Sequence, residues 1–134
     1  MKILILLPAY NEAKSLPKIL KDLKTTLTNY NYEYEIILCN DGSSDNTKAI
    51  IESSLKNYPI HFINHKINRG LGETSRDNFE AAAELSSDED IIIRMDCDDT
   101  HKPIFIIELI KKIQDGYDVV IASRFQKNGG QKGV

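Results

Sequence analysis

Short, nearly unbroken apolar runs alternate along this 134-residue chain with segments whose apolar residues recur every three or four positions. That alternation restricts the fold more than any other feature. The runs are KILILLP (2–8), EYEIILCN (33–40), IHFIN (60–64), EDIIIRMD (89–96) and YDVVIAS (117–123). A strand apolar at successive positions has no polar face to give to water, so it belongs in a sheet covered on both sides. Between the first two runs, Leu16, Ile19, Leu20, Leu23 and Leu27 keep the spacing of an amphipathic helix. Ser15 is placed to cap it, with Pro17 in its first turn, and a start near Asn11 is the alternative. Ser44 or Asp45 is expected to cap a second helix that turns Ile50, Ile51 and Leu55 inward. A third helix carries Phe79, Ala82 and Ala83 on one face, and the alanines allow close approach to a sheet. A fourth begins with Pro103, lines one side with Ile106, Leu109, Ile110 and Ile113, and ends at Gly116. Strands alternating with helices imply parallel pairing through right-handed crossovers. The expected fold class is therefore α/β, a three-layer α/β/α sandwich with a mainly parallel sheet. The closing segment RFQKNGGQKGV has no periodicity and reads as a loop.

In such sheets ligands collect at the carboxyl ends of the strands. The polar clusters of this chain fall on that edge: AYNE after the first strand, NDGSSD after the second, DCDD after the fourth and SRF after the fifth. Crowded carboxylates repel, so Asp96, Asp98 and Asp99 need a proton or a cation. A solvated, helix-capping turn is the ordinary explanation, but it leaves the shared edge to chance. Asp96 and Asp98 are separated by one residue and point the same way from an extended segment. Hard oxygen ligands on a strand end suit Mg²⁺ or Mn²⁺, which keep waters and share phosphate oxygens with a substrate. Asp99 faces elsewhere and serves better as a helix-start acceptor.

Other candidates are each open to a plainer role. Asp41 either accepts from a base or ribose or closes an Asx turn. Arg124 holds phosphate or is simply solvated. Arg69 and Gly70 either bring backbone amides to a ligand or form a tight loop that needs glycine. Cys97 is a small residue with its backbone near the ligand, His101 a phosphate or second-layer contact, and His65 is expected at the surface.

Bulk properties narrow the classes. The chain is long enough for one cored domain, 1–134. Net charge of −3 offers no basic footprint for nucleic acid. No apolar run approaches the ~20 residues of a membrane span, and MKILILLPAY followed by NEAK lacks the features of a leader peptide. Two cysteines, Cys39 and Cys97, suggest no disulfide framework and fit a reducing, cytoplasmic setting. A phosphate-binding lysine loop is absent, and GLG is no dinucleotide fingerprint. Metal-bound diphosphate, with a nucleotide along the edge, is what remains.

LLPAYNEAKSLPKIL, LCNDGSSDNT, NRGLGETSRDNFEAA and MDCDDTHKP resemble, in order and spacing, the pattern of glycosyltransferase family 2, which has a GT-A (nucleotide-diphospho-sugar transferase, Rossmann-like) fold. GLG, DCDDTHKP and ASRFQKNGG look most like its dolichyl- and polyprenyl-phosphate branch, which includes the dolichyl-phosphate mannose synthases. The resemblance implies an inverting transfer of a sugar from a GDP- or UDP-sugar to a lipid phosphate. It implies that Pro8, Ala9, Tyr10 and Glu12 line the nucleobase and ribose, that Asp41 contacts base or ribose, and that Asp96 meets ribose or metal. Asp98 becomes the main metal ligand and, with Asp96, the catalytic pair; Cys97 and Arg124 lie near the nucleotide, with Arg69, Thr100 and His101 as outer contacts. Asn40 stands where the family more often has Asp, and Thr100 where the branch usually has Gln.

Family members continue past the point reached by Val134, so the acceptor-side elements are expected to be missing, as in a C-terminally truncated fold. The exposed edge then allows a homodimer, and the full-length enzyme would work at the cytoplasmic face of the membrane. The rival readings are a sugar-phosphate nucleotidyltransferase, which wants a Gly-rich basic loop where PAYNEAK stands, and a non-catalytic nucleotide-binding module.

Overall fold

The computed structural model describes residues 1–97 and 102–120. In chain order its elements are β1 (Lys2–Ala9), α1 (Leu16–Asn29), β2 (Glu33–Asp41), α2 (Thr47–Ser54), β3 (Ile60–His65), α3 (Leu71–Leu85), β4 (Ile91–Arg94) and α4 (Phe105–Gln114). The strands form a parallel sheet in the order β3-β2-β1-β4. Side chains alternate across the sheet, and both faces are buried along β1 and the inner part of β2, whereas Ile92 and Arg94 of β4 are exposed. Ile3, Ile5 and Leu7 of β1 join Ile36 and Leu38 of β2 and the apolar stripes of α1 and α4 in the larger core. Leu4, Leu6 and Ile37 point the other way, onto Ala82 of α3. This is why β1 and the inner part of β2 read as continuous apolar runs.

The chain passes from β1 outward to β2 and β3, then crosses back through α3 to pair β4 with the other side of β1. The carboxyl ends of β1 and β4 therefore flank the topological switch point. Pro8 helps open it. The carbonyl of Leu6 accepts the Met95 N–H, and residue 8 faces the same side of the strand as residue 6. The β1–β4 ladder stops at Leu6↔Arg94, so the N–H that proline lacks would have had no partner there.

Local differences from the sequence reading have identifiable causes. Ser15 stands at the start of α1, but its hydroxyl makes no cap; it is engaged elsewhere, as described below. Neither Ser44 nor Asp45 is the N-cap of α2: that position is Asn46, whose side chain makes no cap, while Asp45 one residue earlier accepts the Thr47 N–H at 2.9 Å. Leu55 is exposed because α2 ends at Ser54, before the inward stripe reaches it. In α3 the buried positions are Thr74, Asn78 and Ala82, four apart, while Phe79 lies outward. Ala83 is likewise exposed. Small side chains, polar or not, occupy the face that must approach the sheet. β4 is shorter than its apolar run, and residues 117–120 carry no strand; the rest of the anticipated fifth strand lies outside the described residues.

Candidate functional site

Two loops at the carboxyl edge are joined by hydrogen bonds that the local sequence makes available. After β1 the backbone of Asn11 turns left-handed (φ 53°), a conformation asparagine tolerates better than most residues. Its side-chain oxygen accepts the Ser44 N–H at 2.8 Å, while its own N–H donates to the Ser43 hydroxyl at 2.9 Å. The Glu12 N–H donates to Thr47 Oγ1 at 2.9 Å. The β1–α1 and β2–α2 loops are thus tied together. Ser15 reaches across the switch point: its Oγ lies 2.6 Å from the Cys97 carbonyl oxygen and 2.9 Å from Glu12 Oε2. The start of α1 is thereby tied to the segment that follows β4.

A third loop closes the other side. Gly42 (φ 67°) lies so close to residues 67 and 68 that a Cβ would collide with their backbone, and its left-handed conformation disfavours any side chain. Asp41, at the end of β2, organises this loop. Its Oδ1 accepts the Arg69 N–H at 2.8 Å and its Oδ2 the Gly70 N–H at 3.0 Å. Burial alone would push this carboxyl up; the N–H groups of Arg69 and Gly70 and the His65 ring outweigh it and hold the pKa below the usual value.

Between these loops lies a cleft of about 370 Å³, lined by Pro8, Ala9, Tyr10 and Glu12 from β1 and its loop, Asp41 from β2, Asn68, Gly70, Leu71 and Thr74 before and within α3, and Asp96 and Cys97 after β4. Eight residues singled out from the sequence (Pro8, Ala9, Tyr10, Glu12, Asp41, Gly70, Asp96 and Cys97) meet there. The Tyr10 ring is half-exposed at the mouth. Asp96 Oδ1 lies 3.3 Å from Arg94 Nη1. The amides of Arg69 and Gly70, for which a ligand contact and a tight loop were the two alternatives, are directed at Asp41. Asp98, Thr100, His101 and Arg124 lie outside the described residues. Among the described residues, no group of three His, Cys, Asp or Glu side chains is arranged to hold a metal ion. Asp96 contributes to the cleft a hard carboxylate donor at a strand end, and that chemistry fits a divalent cation sharing oxygens with a diphosphate.

One residue departs from its expected place. His65 is buried, 4% exposed, not at the surface. Its Nδ1 lies 3.0 Å from Asp41 Oδ1 and its Nε2 2.6 Å from Asp77 Oδ2. Burial pushes the imidazole pKa down, but the hydrogen bonds to Asp41 and Asp77 prevail and raise it above 6.5. The Cys39 thiol packs on the same ring and is pushed up to about 12, first by burial and then by the charges of Asp77 and Asp41. Nothing in the spacing of His65, Asp41 and Asp77 announces this cluster; only the β2–β3 register, which pairs Asp41 with His65, brings it together.

Comparison with known proteins agrees with this architecture. The profile of "Glycosyl transferase family 2" matches residues 4–133. Undecaprenyl-phosphate 4-deoxy-4-formamido-L-arabinose transferase of Proteus mirabilis (strain HI4320) is 34% identical over 119 residues, covering 89% of this chain and 36% of that protein. The chain thus spans about a third of that relative's length. S. aureus TarS, residues 1–349, superposes with a TM-score of 0.64 at 19% identity, covering 95% of this chain and 40% of that one. Its complex with UDP-GlcNAc gives 0.63 at 19% identity, with 95% and 39% covered. The structural likeness establishes the fold, a GT-A sheet with its helices, and the match over nearly the whole sequence establishes that the chain belongs to glycosyl transferase family 2.

Proposed function

We propose that the cleft binds the nucleoside diphosphate of a sugar nucleotide, as the donor side of an inverting glycosyltransferase whose acceptor is a polyprenyl phosphate. The observation carrying this is the convergence of Pro8, Ala9, Tyr10, Glu12, Asp41, Asp96 and Cys97 on one cleft at the switch point. The half-exposed Tyr10 ring and the apolar surface of Pro8 and Ala9 offer a face for a nucleobase. Asp41 accepts from base or ribose at the cleft floor, and Asp96 from ribose or metal. The family pattern assigns Arg124 to the diphosphate and Thr100 and His101 to outer contacts. UDP is the first nucleotide to test, because a solved relative of this fold is bound to UDP-GlcNAc. The lipid-phosphate acceptor is supported by the Proteus relative, an undecaprenyl-phosphate sugar transferase. A lipid phosphate is already anionic, so its attack at the anomeric carbon needs no strong general base. Asp96 and Asp98 would hold Mg²⁺ or Mn²⁺, whose charge supports departure of the nucleoside diphosphate. No helix among the described residues is long and apolar enough to cross a membrane; work at the cytoplasmic face, where sugar nucleotides are available, is part of this proposal.

Calorimetry with UDP and GDP, in Mn²⁺ and in EDTA, tests it. Asp98→Asn is expected to weaken Mn²⁺-dependent binding about tenfold or more, the loss of at least ~1.4 kcal/mol. Equal affinity with and without EDTA removes the metal from the proposal. Absence of binding by either nucleotide removes the nucleotide.

A further inference from the structure

We propose that His65, as an imidazolium held between Asp41 and Asp77, is a positioning residue that fixes the cleft wall and makes nucleotide affinity depend on its proton. The proposal rests on reading the cleft as a nucleoside-diphosphate site. The geometry is specific. Each ring nitrogen faces a carboxylate oxygen, at 3.0 Å for Asp41 and 2.6 Å for Asp77. Carboxylates only accept, so both contacts are hydrogen bonds only when both nitrogens carry protons. A neutral ring keeps one donor and turns a lone pair toward the other carboxylate.

The consequence reaches the cleft through Asp41. The Oδ1 that meets the ring also accepts the Arg69 N–H, and Oδ2 accepts the Gly70 N–H. Gly70 and Thr74 line the cleft, and the Thr74 hydroxyl in turn donates to the Gly70 carbonyl at 3.0 Å. Asp77 does not line the cleft; it anchors the ring to α3 from behind. His65 therefore joins three elements, its own β3, β2 through Asp41 and α3 through Asp77, at the point where the wall of the cleft begins.

The groups facing the ring support the charged form. Asp41 and the protonated Cys39 thiol approach from β2 and Asp77 from α3. The charge of Arg69 opposes, and Lys48 and Lys66 share a small hollow with His65. The folded-state pKa is raised, so the clamp is complete below 6.5 and is lost as pH rises through the folded value.

Two measurements test this together. The His65 ring nitrogens are followed by NMR from pH 6 to 10, and UDP or GDP affinity, with Mn²⁺, is measured over the same range. We expect a His65 midpoint above 6.5, both nitrogens protonated below it, and affinity about tenfold weaker above it than below. Asp77→Asn removes one of the two carboxylates and should move the ring midpoint and the affinity midpoint down together. His65→Gln, neutral throughout, should flatten the profile near the high-pH affinity of the parent. A ring midpoint below 6.5 overturns the clamp. Affinity that ignores the ring's protonation, in the parent and in Asp77→Asn, overturns the link to the cleft while leaving the nucleotide site intact. No nucleotide binding at any pH overturns the functional reading, and the role of His65 with it.

Discussion

Asp41 serves two structures at once: it lines the cleft, and its carboxylate holds the Arg69 and Gly70 amides and the His65 ring. Buried charge of this kind is costly to leave half-matched. Asp41→Ala strips the acceptor from two backbone N–H groups and leaves His65 facing Asp77 alone. We expect a loss of about 3 kcal/mol or more in urea-unfolding free energy, together with at least about tenfold weaker nucleoside diphosphate binding. Unchanged stability would mean that water replaces the carboxylate and that the loop does not depend on it. The acid limb follows the same residue. The folded pKa of Asp41 is lowered, so its stabilisation is present above the unfolded value near 3.8 and is lost as pH falls through the folded one. Replacing Asp41 with Asn should remove that part of the acid-induced drop, which urea titrations at successive pH values would register.

At the scale of elements, the two glycines flanking the site separate conformation from space. Gly42 has a left-handed backbone and no room for a Cβ beside residues 67 and 68. Gly42→Ala should cost ~1–2 kcal/mol for the backbone alone, and more for the displaced loop. Gly72 lies inside α3, and a Cβ there would meet nothing within 4 Å. Gly72→Ala should stabilise the protein by about 0.4–1 kcal/mol, because alanine has less chain entropy to lose. Thermal unfolding of the two variants should shift in opposite directions; a shared direction would show that the loop over Gly42 is loosely held. These elements also show what a sequence discloses. β1, α1 and α4 were legible because their buried positions are apolar at the period of the element. The inward face of α3 was not, because Thr74 and Asn78 are polar and Phe79 beside them draws the eye to the wrong side. Asn78 is buried, and its amide has no hydrogen-bond partner among the described residues, a cost that periodicity cannot reveal. The cleft was legible for a topological reason: loops after parallel strands share an edge whatever their contents. The His65 cluster was hidden because its two carboxylates lie 24 and 12 residues away, on different elements.

For the whole molecule the question is how much of a transfer reaction these residues can support. The described residues assemble the proposed donor side from β1, β2, α3 and the segment after β4. The chain spans about a third of its Proteus relative and two fifths of the TarS structure. Transfer requires more than donor binding. The acceptor oxygen must be held in line with the anomeric carbon, and such positioning supplies ~7–11 kcal/mol of barrier reduction in well-oriented reactions. Donor binding by itself neither keeps water from the diphosphate nor orders a lipid phosphate beside it. The 134-residue chain is therefore expected to bind nucleoside diphosphate-sugar and to hydrolyse it slowly at most, with transfer to undecaprenyl phosphate at background. Radiolabelled UDP-sugars incubated with the chain, Mn²⁺ and the lipid phosphate in detergent would separate the products by solvent partition. Sedimentation under the same conditions would report self-association, because β3 and β4 are the outer strands of the described sheet and Ile92 is partly exposed on β4. Label in the organic phase well above background would defeat the expectation and place a working acceptor site within these residues. If that label rose with the square of protein concentration, the site would be shared between two copies joined at such an edge.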